Sequence, residues 1–181
     1  MSKGLFWAFV WFILSVYVTS TFGKNPVVVV PVPEAEQQID RMFDCTNRLR
    51  AQRRVPILGL DARLCHAASV HAEEMARYNY VSDRGHGIFL TQSTPGTRAW
   101  KSGYGWSSIA ETVCAGSPDC ASVLNSWLRS RAHSRILTDP EYLDAGIGVA
   151  RSATRTYWVL LLARPSNALS PKKDWDFRVT L

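Results

Sequence analysis

The chain has 181 residues, 46% hydrophobic and 20% charged, with 11 glycines and 9 prolines, and that length holds one domain of about 100–200 residues plus a short appendage, not a multidomain enzyme. Enough apolar side chain is present to bury a core, which excludes wholesale disorder and a fibrous repeat. The net charge of +6 comes mainly from scattered arginines, among them Arg48, Arg50, Arg53, Arg54, Arg129, Arg131 and Arg135; each is read as solvated surface, no nucleic-acid motif accompanies them, and their sum suits anionic envelope polymers or lipid head groups.

The first feature along the chain is the apolar run Leu5–Val18, preceded by Lys3 and followed by Thr19, Ser20, Thr21 and Gly23. It fits the roughly 7–15 residue core of a secretory signal and falls short of the ~20 residues that span a bilayer. Residues 1–23 therefore read as a signal peptide, with small residues for signal peptidase at Val18/Ser20 or Thr21/Gly23; the alternative is an uncleaved N-terminal membrane anchor. The mature chain is expected to be secreted or periplasmic, meeting the membrane only if this segment is retained.

Four cysteines in an exported chain point to disulfides, for which three pairings exist. Gly116, Ser117 and Pro118 form a turn that could join Cys114 to Cys120, leaving Cys45–Cys65 as the second bridge. The alternatives are buried free thiols or a metal site, and the lack of any CxxC pair argues against a structural zinc cluster.

Residues 24–37, with three prolines and a valine run, read as an extended linker, and the domain is placed at 38–165. Ile39, Met42, Phe43 and Leu49 recur at helical spacing. Pro56 and Gly59 break the chain, and Asp61 caps a second helix carrying Leu64, Ala67, Ala68, Val70, His71, Met75 and Ala76. Val81–Gly105 is glycine-rich and reads as irregular, a place for a binding loop. Strand character returns at Ser107–Ala115; Pro118 and Asp119 open a third helix with Val123, Leu124, Trp127 and Leu128 on one face. Ala145–Arg151 and Thr156–Ala163 form a hairpin about Ser152–Arg155, and the second of these strands is apolar almost throughout, hence central with both faces covered. The tail, 166–181, offers Trp175 and Phe177 for packing back. Helices flanking a small antiparallel sheet make an α+β layered domain.

Trp127, Ser130 and His133 in WLRSRAHSRILTDPEYLDAGIGVA resemble a bacterial form of a signature of the cysteine-rich secretory proteins, antigen 5 and pathogenesis-related proteins, the CAP or SCP-like family. The resemblance runs from TNRLR through LDARLCHAASVHAEEMARYNY and GYGWSSIAET to TYWVLLLA, roughly residues 40–164. It implies an α-β-α sandwich with a cavity of two histidines and two acidic residues that in some members holds a divalent metal. Glu111 matches the cavity glutamate and His133 one histidine, whereas Ser130 stands where eukaryotic members carry the second acid. For the other histidine, counting forward from Met75 and Asn79-Tyr80 gives Asp83, and counting back from Pro95 and Arg98 falls within one residue of His86, the only imidazole there.

His86 (or Asp83), Glu111 and His133 thus form a candidate two-imidazole, one-carboxylate set for a divalent metal such as zinc, with an open position for water; the alternative is a hydrogen-bonded polar cavity that needs no cofactor. Ser130 and His133, three apart on a helix, with Glu111 orienting the imidazole, would make a serine-type hydrolase, but no GxSxG elbow is present and the Ser130 hydroxyl suits a helix end. His66 and His71 project about 140° apart on their helix and are read as structural. Trp100, Trp106, Trp127, Tyr157 and Trp158 are either core or an aromatic platform for sterol, lipid or glycan. The expectation is a non-catalytic exported module for a lipid, sterol, envelope polymer or protein ligand; the alternative is a metal-assisted or serine-type hydrolase using His133 and Glu111.

Overall fold

Two glycines on one strand decide how closely the helix that carries Leu64 and Ala68 can approach the sheet. A Cβ on Gly146 would stand 2.2 Å from the backbone carbon of Leu64, and one on Gly148 2.3 Å from that of Ala68. Only hydrogen at these positions lets the helix backbone lie directly on the strand.

The computed structural model describes residues 27–28, 32–86, 93–116 and 118–166; the expected signal segment, the turn residue Ser117 and the tail with Trp175 and Phe177 lie outside them. In chain order the elements are β1 (Val27–Val28), α1 (Val32–Gln52), β2 (Gly59–Leu60), α2 (Ala62–Tyr78), α3 (Pro95–Lys101), β3 (Trp106–Gly116), α4 (Cys120–Leu128), α5 (Arg131–Leu137), β4 (Asp144–Ser152) and β5 (Thr156–Pro165). The five-stranded sheet runs β1-β4-β5-β3, its pairings antiparallel, with β2 adding in parallel to β4.

The sheet separates two apolar layers. Trp158, Leu160 and Leu162 of β5 face α1, α4 and α5 in one core, while Tyr157, Val159, Leu161 and Ala163 face α2 and α3 in the other. An apolar strand with every side chain buried is what a central strand between two helical layers requires, so the α+β, α-β-α sandwich expected from the sequence is the observed fold. Asp61 caps α2, accepting from the Arg63 and Leu64 N–H groups, and Asp119 caps α4.

Three sequence expectations change. Helix α1 begins at Val32, inside the segment read as linker, because Pro33 lies in the first turn, where a helix does not use the missing N–H; Val27–Val28 meanwhile extend the sheet at β4. Helix α3 interrupts the stretch read as irregular, opened by Thr94, Pro95 and a reciprocal Thr94–Thr97 capping box. Arg50 is fully buried, not surface: it donates to the carbonyls of Pro56 (2.7 Å), Leu137 (2.9 Å), Asp139 (3.1 Å) and Tyr142 (3.0 Å), tying α1 to the chain after α5.

The expected disulfides Cys45–Cys65 and Cys114–Cys120 are not formed; all four thiols are free. Cys45 sits on α1 and Cys65 on α2, and those helices cover opposite faces of the sheet. The Cys65 sulfur accepts the Ile147 N–H, and the Cys114 sulfur lies 3.6 Å from the Ser126 hydroxyl.

Gly148→Ala should cost about 1–3 kcal/mol, because the Ala68 backbone cannot yield as a side-chain tip can. The check is a lower urea midpoint at unchanged slope.

Candidate functional site

Strand β3 alternates its side chains between the two layers, with Ala110 and Cys114 packed toward α1 and α4 and Ile109 and Val113 toward α2 and α3. Glu111 shares the second face by strand parity. Its side chain is wholly buried, and an unpaired carboxylate there would be very costly.

The partner is Arg98, brought in by α3. One guanidinium nitrogen, Nη2, straddles the carboxylate at 2.9 Å from Oε1 and 2.8 Å from Oε2, and also donates to the Asp83 carbonyl at 2.9 Å. Nη1 donates to the carbonyl and hydroxyl of Ser93 at 3.1 and 3.0 Å. The buried Nε is without a hydrogen-bond partner.

His71 of α2 completes the cluster. Its ring is fully buried, with Nε2 3.7 Å from Glu111 Oε2. Nε2 donates to the Ser82 carbonyl at 2.7 Å, and Nδ1 meets Glu74 Oε2 at 3.2 Å. Because that carbonyl can only accept, Nε2 carries hydrogen. Glu74 Oε1 accepts the backbone N–H of His86 at 2.9 Å. Both ring nitrogens of His71 and both oxygens of Glu111 are thereby engaged.

The sequence candidates fall elsewhere. The exposed His86 ring stacks on Tyr78, centroids 4.1 Å apart. Asp83 contributes its carbonyl to Arg98, and its charge is felt at Glu111. Half-buried His133 lies on α5, and Ser130 caps that helix, its hydroxyl accepting the His133 backbone N–H at 3.4 Å. Among the described residues, no group of three or more His, Cys, Asp or Glu is placed to hold a metal ion. The set His86, Glu111 and His133 therefore does not fit a divalent ion, and a guanidinium already neutralises the carboxylate that would anchor one. Nor does any hydrogen bond or ion pair among the described residues join Glu111 to Ser130 or His133, as a hydrolytic triad would need.

Sequence reasoning missed His71 as a member of this cluster, and Arg98 served it only as a landmark. A signal for His71 was available: His71 and Glu74 are one turn apart, and His71 shares the apolar face of Ala67, Ala68, Ala72 and Met75. Nothing local marked Arg98, whose partner is reached only through the tertiary fold.

The outer face of α3 is of a different kind. Thr94, Gly96, Thr97, Trp100 and Lys101, with Trp106 from β3, line an open hollow of about 450 Å³. The Trp106 indole lies over Gly96, where a Cβ would come within 2.5 Å of the ring, and its Nε1 donates to the Gly96 carbonyl at 3.1 Å. Trp100 is 56% and Trp106 38% exposed, whereas Trp127, Tyr157 and Trp158 are core.

A profile of the cysteine-rich secretory protein family, CAP, matches residues 43–162. The chain belongs to this family. Among solved structures, the CAP fold recurs in an extracellular SCP-domain protein of Bacillus anthracis (25% identity, TM-score 0.65, covering 72% of this chain and 41% of that one). It recurs in an outer surface protein of Borrelia burgdorferi (17%, 0.68, 77% and 99%) and in a cysteine-rich secretory protein of Staphylococcus aureus (20%, 0.58, 74% and 40%). This chain thus spans about two-fifths of the Bacillus and Staphylococcus proteins. A search of curated sequences finds no match.

The buried groups give the CAP domain a pH signature. Burial pushes the Glu111 carboxyl up to about 7, against the pull of Arg98, with the Asp83 charge adding to the rise. Burial also lowers His71, helped by the Arg98 charge and opposed by Ser82 and Glu74. Folded Glu111 holds a proton that the unfolded chain has released, so its contribution is present below pH 4.5 and lost as pH rises through about 7. His71 works oppositely, its contribution present above pH 6.5 and lost as pH falls through its lowered value. Glu111→Gln removes the first effect and leaves the second. Melting temperature should then climb more steeply with pH between 4.5 and about 7 than in the parent; parallel curves would contradict the assignment. Zinc should produce no rise in melting temperature that Glu111→Gln abolishes.

Proposed function

We propose that this chain is an exported, non-catalytic binding module that engages an anionic glycan of the cell envelope through the hollow between α3 and β3. The observation that carries the reading is the pair of exposed indoles of Trp100 and Trp106 beside Lys101. Exposed aromatic side chains that face one hollow offer an apolar platform to a ligand. The C–H face of a sugar ring stacks on an indole, and the Lys101 ammonium pairs with a carboxylate or phosphate on the same polymer. The net charge of +6 favours approach to such a polymer at low salt.

Export is supported by the signal-like run Leu5–Val18 and by the likeness to the extracellular SCP-domain protein of Bacillus anthracis. Among the described residues, no helix is long and apolar enough to cross a membrane. The inward-facing Arg98, Glu111 and His71 act in this reading as a positioning cluster: by fixing the inner side of α3 they set where Trp100 and Lys101 stand on its outer side.

Titration with a soluble oligosaccharide bearing carboxylate or phosphate groups, followed by calorimetry, tests the proposal. Trp100→Ala should weaken binding roughly tenfold or more, the cost of losing a central aromatic anchor, and Lys101→Ala should weaken it mainly at low salt. Equal binding by the parent and Trp100→Ala would overturn it, as would preference for neutral phospholipid vesicles over the anionic glycan.

A further inference from the structure

The four thiols are not equivalent in their surroundings. Cys45, midway along α1, and Cys120, the first residue of α4, bring their sulfurs to 3.1 Å although they are 75 positions apart in sequence. Both residues are half-buried and pack against the core shared by α1, α4 and α5. Cys65 and Cys114 have no cysteine beside them: the first accepts a backbone N–H from β4, and the second contacts a serine hydroxyl.

We propose that Cys45 and Cys120 are a redox pair that closes to a single disulfide stapling α1 to the N-terminus of α4. A closure of about 1 Å brings the sulfurs to the ~2.05 Å of a disulfide bond. The S–H bonds of both residues break and one S–S bond forms between them. The two electrons and two protons pass to an oxidant of the disulfide class, which leaves as two thiols after a mixed-disulfide intermediate. A compartment that exported proteins reach supplies such oxidants, but the chemistry needs only the pair and the oxidant, so it stands apart from the glycan reading.

The location gives the bond a function. Helix α4 is short and is fastened to the core by Val123, Leu124 and Trp127. Tying its first residue to α1 closes a long loop that contains α2, α3 and β3, so the unfolded chain loses more freedom than a short bridge would remove. Oxidation would thus stiffen the layer opposite Arg98 and Glu111 without touching that cluster.

The test uses the purified full chain, fully reduced and then exposed while folded to oxidised glutathione. Intact mass should fall by two hydrogens, non-reducing peptide mapping should join the Cys45 and Cys120 peptides, and Cys65 and Cys114 should remain alkylatable after unfolding. The oxidised form should melt several degrees above the reduced form, a gain that Cys45→Ser and Cys120→Ser each abolish and Cys65→Ser retains. Should a serine variant fail to fold, peptide mapping of the parent still decides the matter. Four alkylatable thiols after oxidation, a different linked pair, or glutathione retained on Cys45 or Cys120 without closure would each overturn the proposal.

Discussion

One guanidinium gathers three separate segments of the chain. Arg98, on α3, holds Glu111 of β3, the Asp83 carbonyl after α2 and Ser93 ahead of its own helix. A buried ion pair seldom adds much net stability over a well-packed apolar substitute, but removing one partner leaves a buried charge without compensation and costs about 3–5 kcal/mol. Such an arrangement therefore acts as a constraint on geometry. Helix α3 has only seven residues, too few to hold itself in place, and the charge beneath it fixes where it lies.

That constraint also decides what the interior can do. A divalent ion bound to Glu111 would have to displace a cation already within 2.9 Å of both oxygens. His71, the imidazole nearest the carboxylate, has spent both nitrogens on Ser82 and Glu74. In this member of the CAP family the Glu111 carboxylate and the His71 imidazole are thus both engaged by neighbours within the fold. The outer side of the same helix carries the exposed Trp100 and Lys101, which line the open hollow.

The layers of the fold were legible in the sequence because their signals are local and periodic. The run TYWVLLLA announced a strand buried on both faces, Asp61 and Asp119 announced helix starts, and the resemblance joined these elements into the correct sandwich. The site was only half legible. Glu111 could be picked out by motif position, but its partner is a tertiary matter: Arg98 sits on a helix opened by Thr94 and Pro95 within a stretch whose glycines read as loop. His86 was chosen as the only imidazole in that loop, whereas the imidazole beside Glu111 came from α2, on a face that looked like ordinary core. The cysteines failed for a related reason. Sequence proximity suggested Cys114 with Cys120, but a strand and the start of the following helix point their sulfurs to different neighbours, and the sheet stands between the helices carrying Cys45 and Cys65.

The most direct measurement of the central claim is a double-mutant cycle between Arg98 and Glu111, with Arg98→Met, Glu111→Gln and the pair compared by urea denaturation at neutral pH. If Arg98 is the group that satisfies Glu111, the two singles are strongly non-additive: the double variant is more stable than their summed losses imply, by a coupling of about 1–3 kcal/mol. Additive losses would mean that Glu111 draws its stabilisation from another partner, and would contradict the account of Arg98 as the clamp on Glu111.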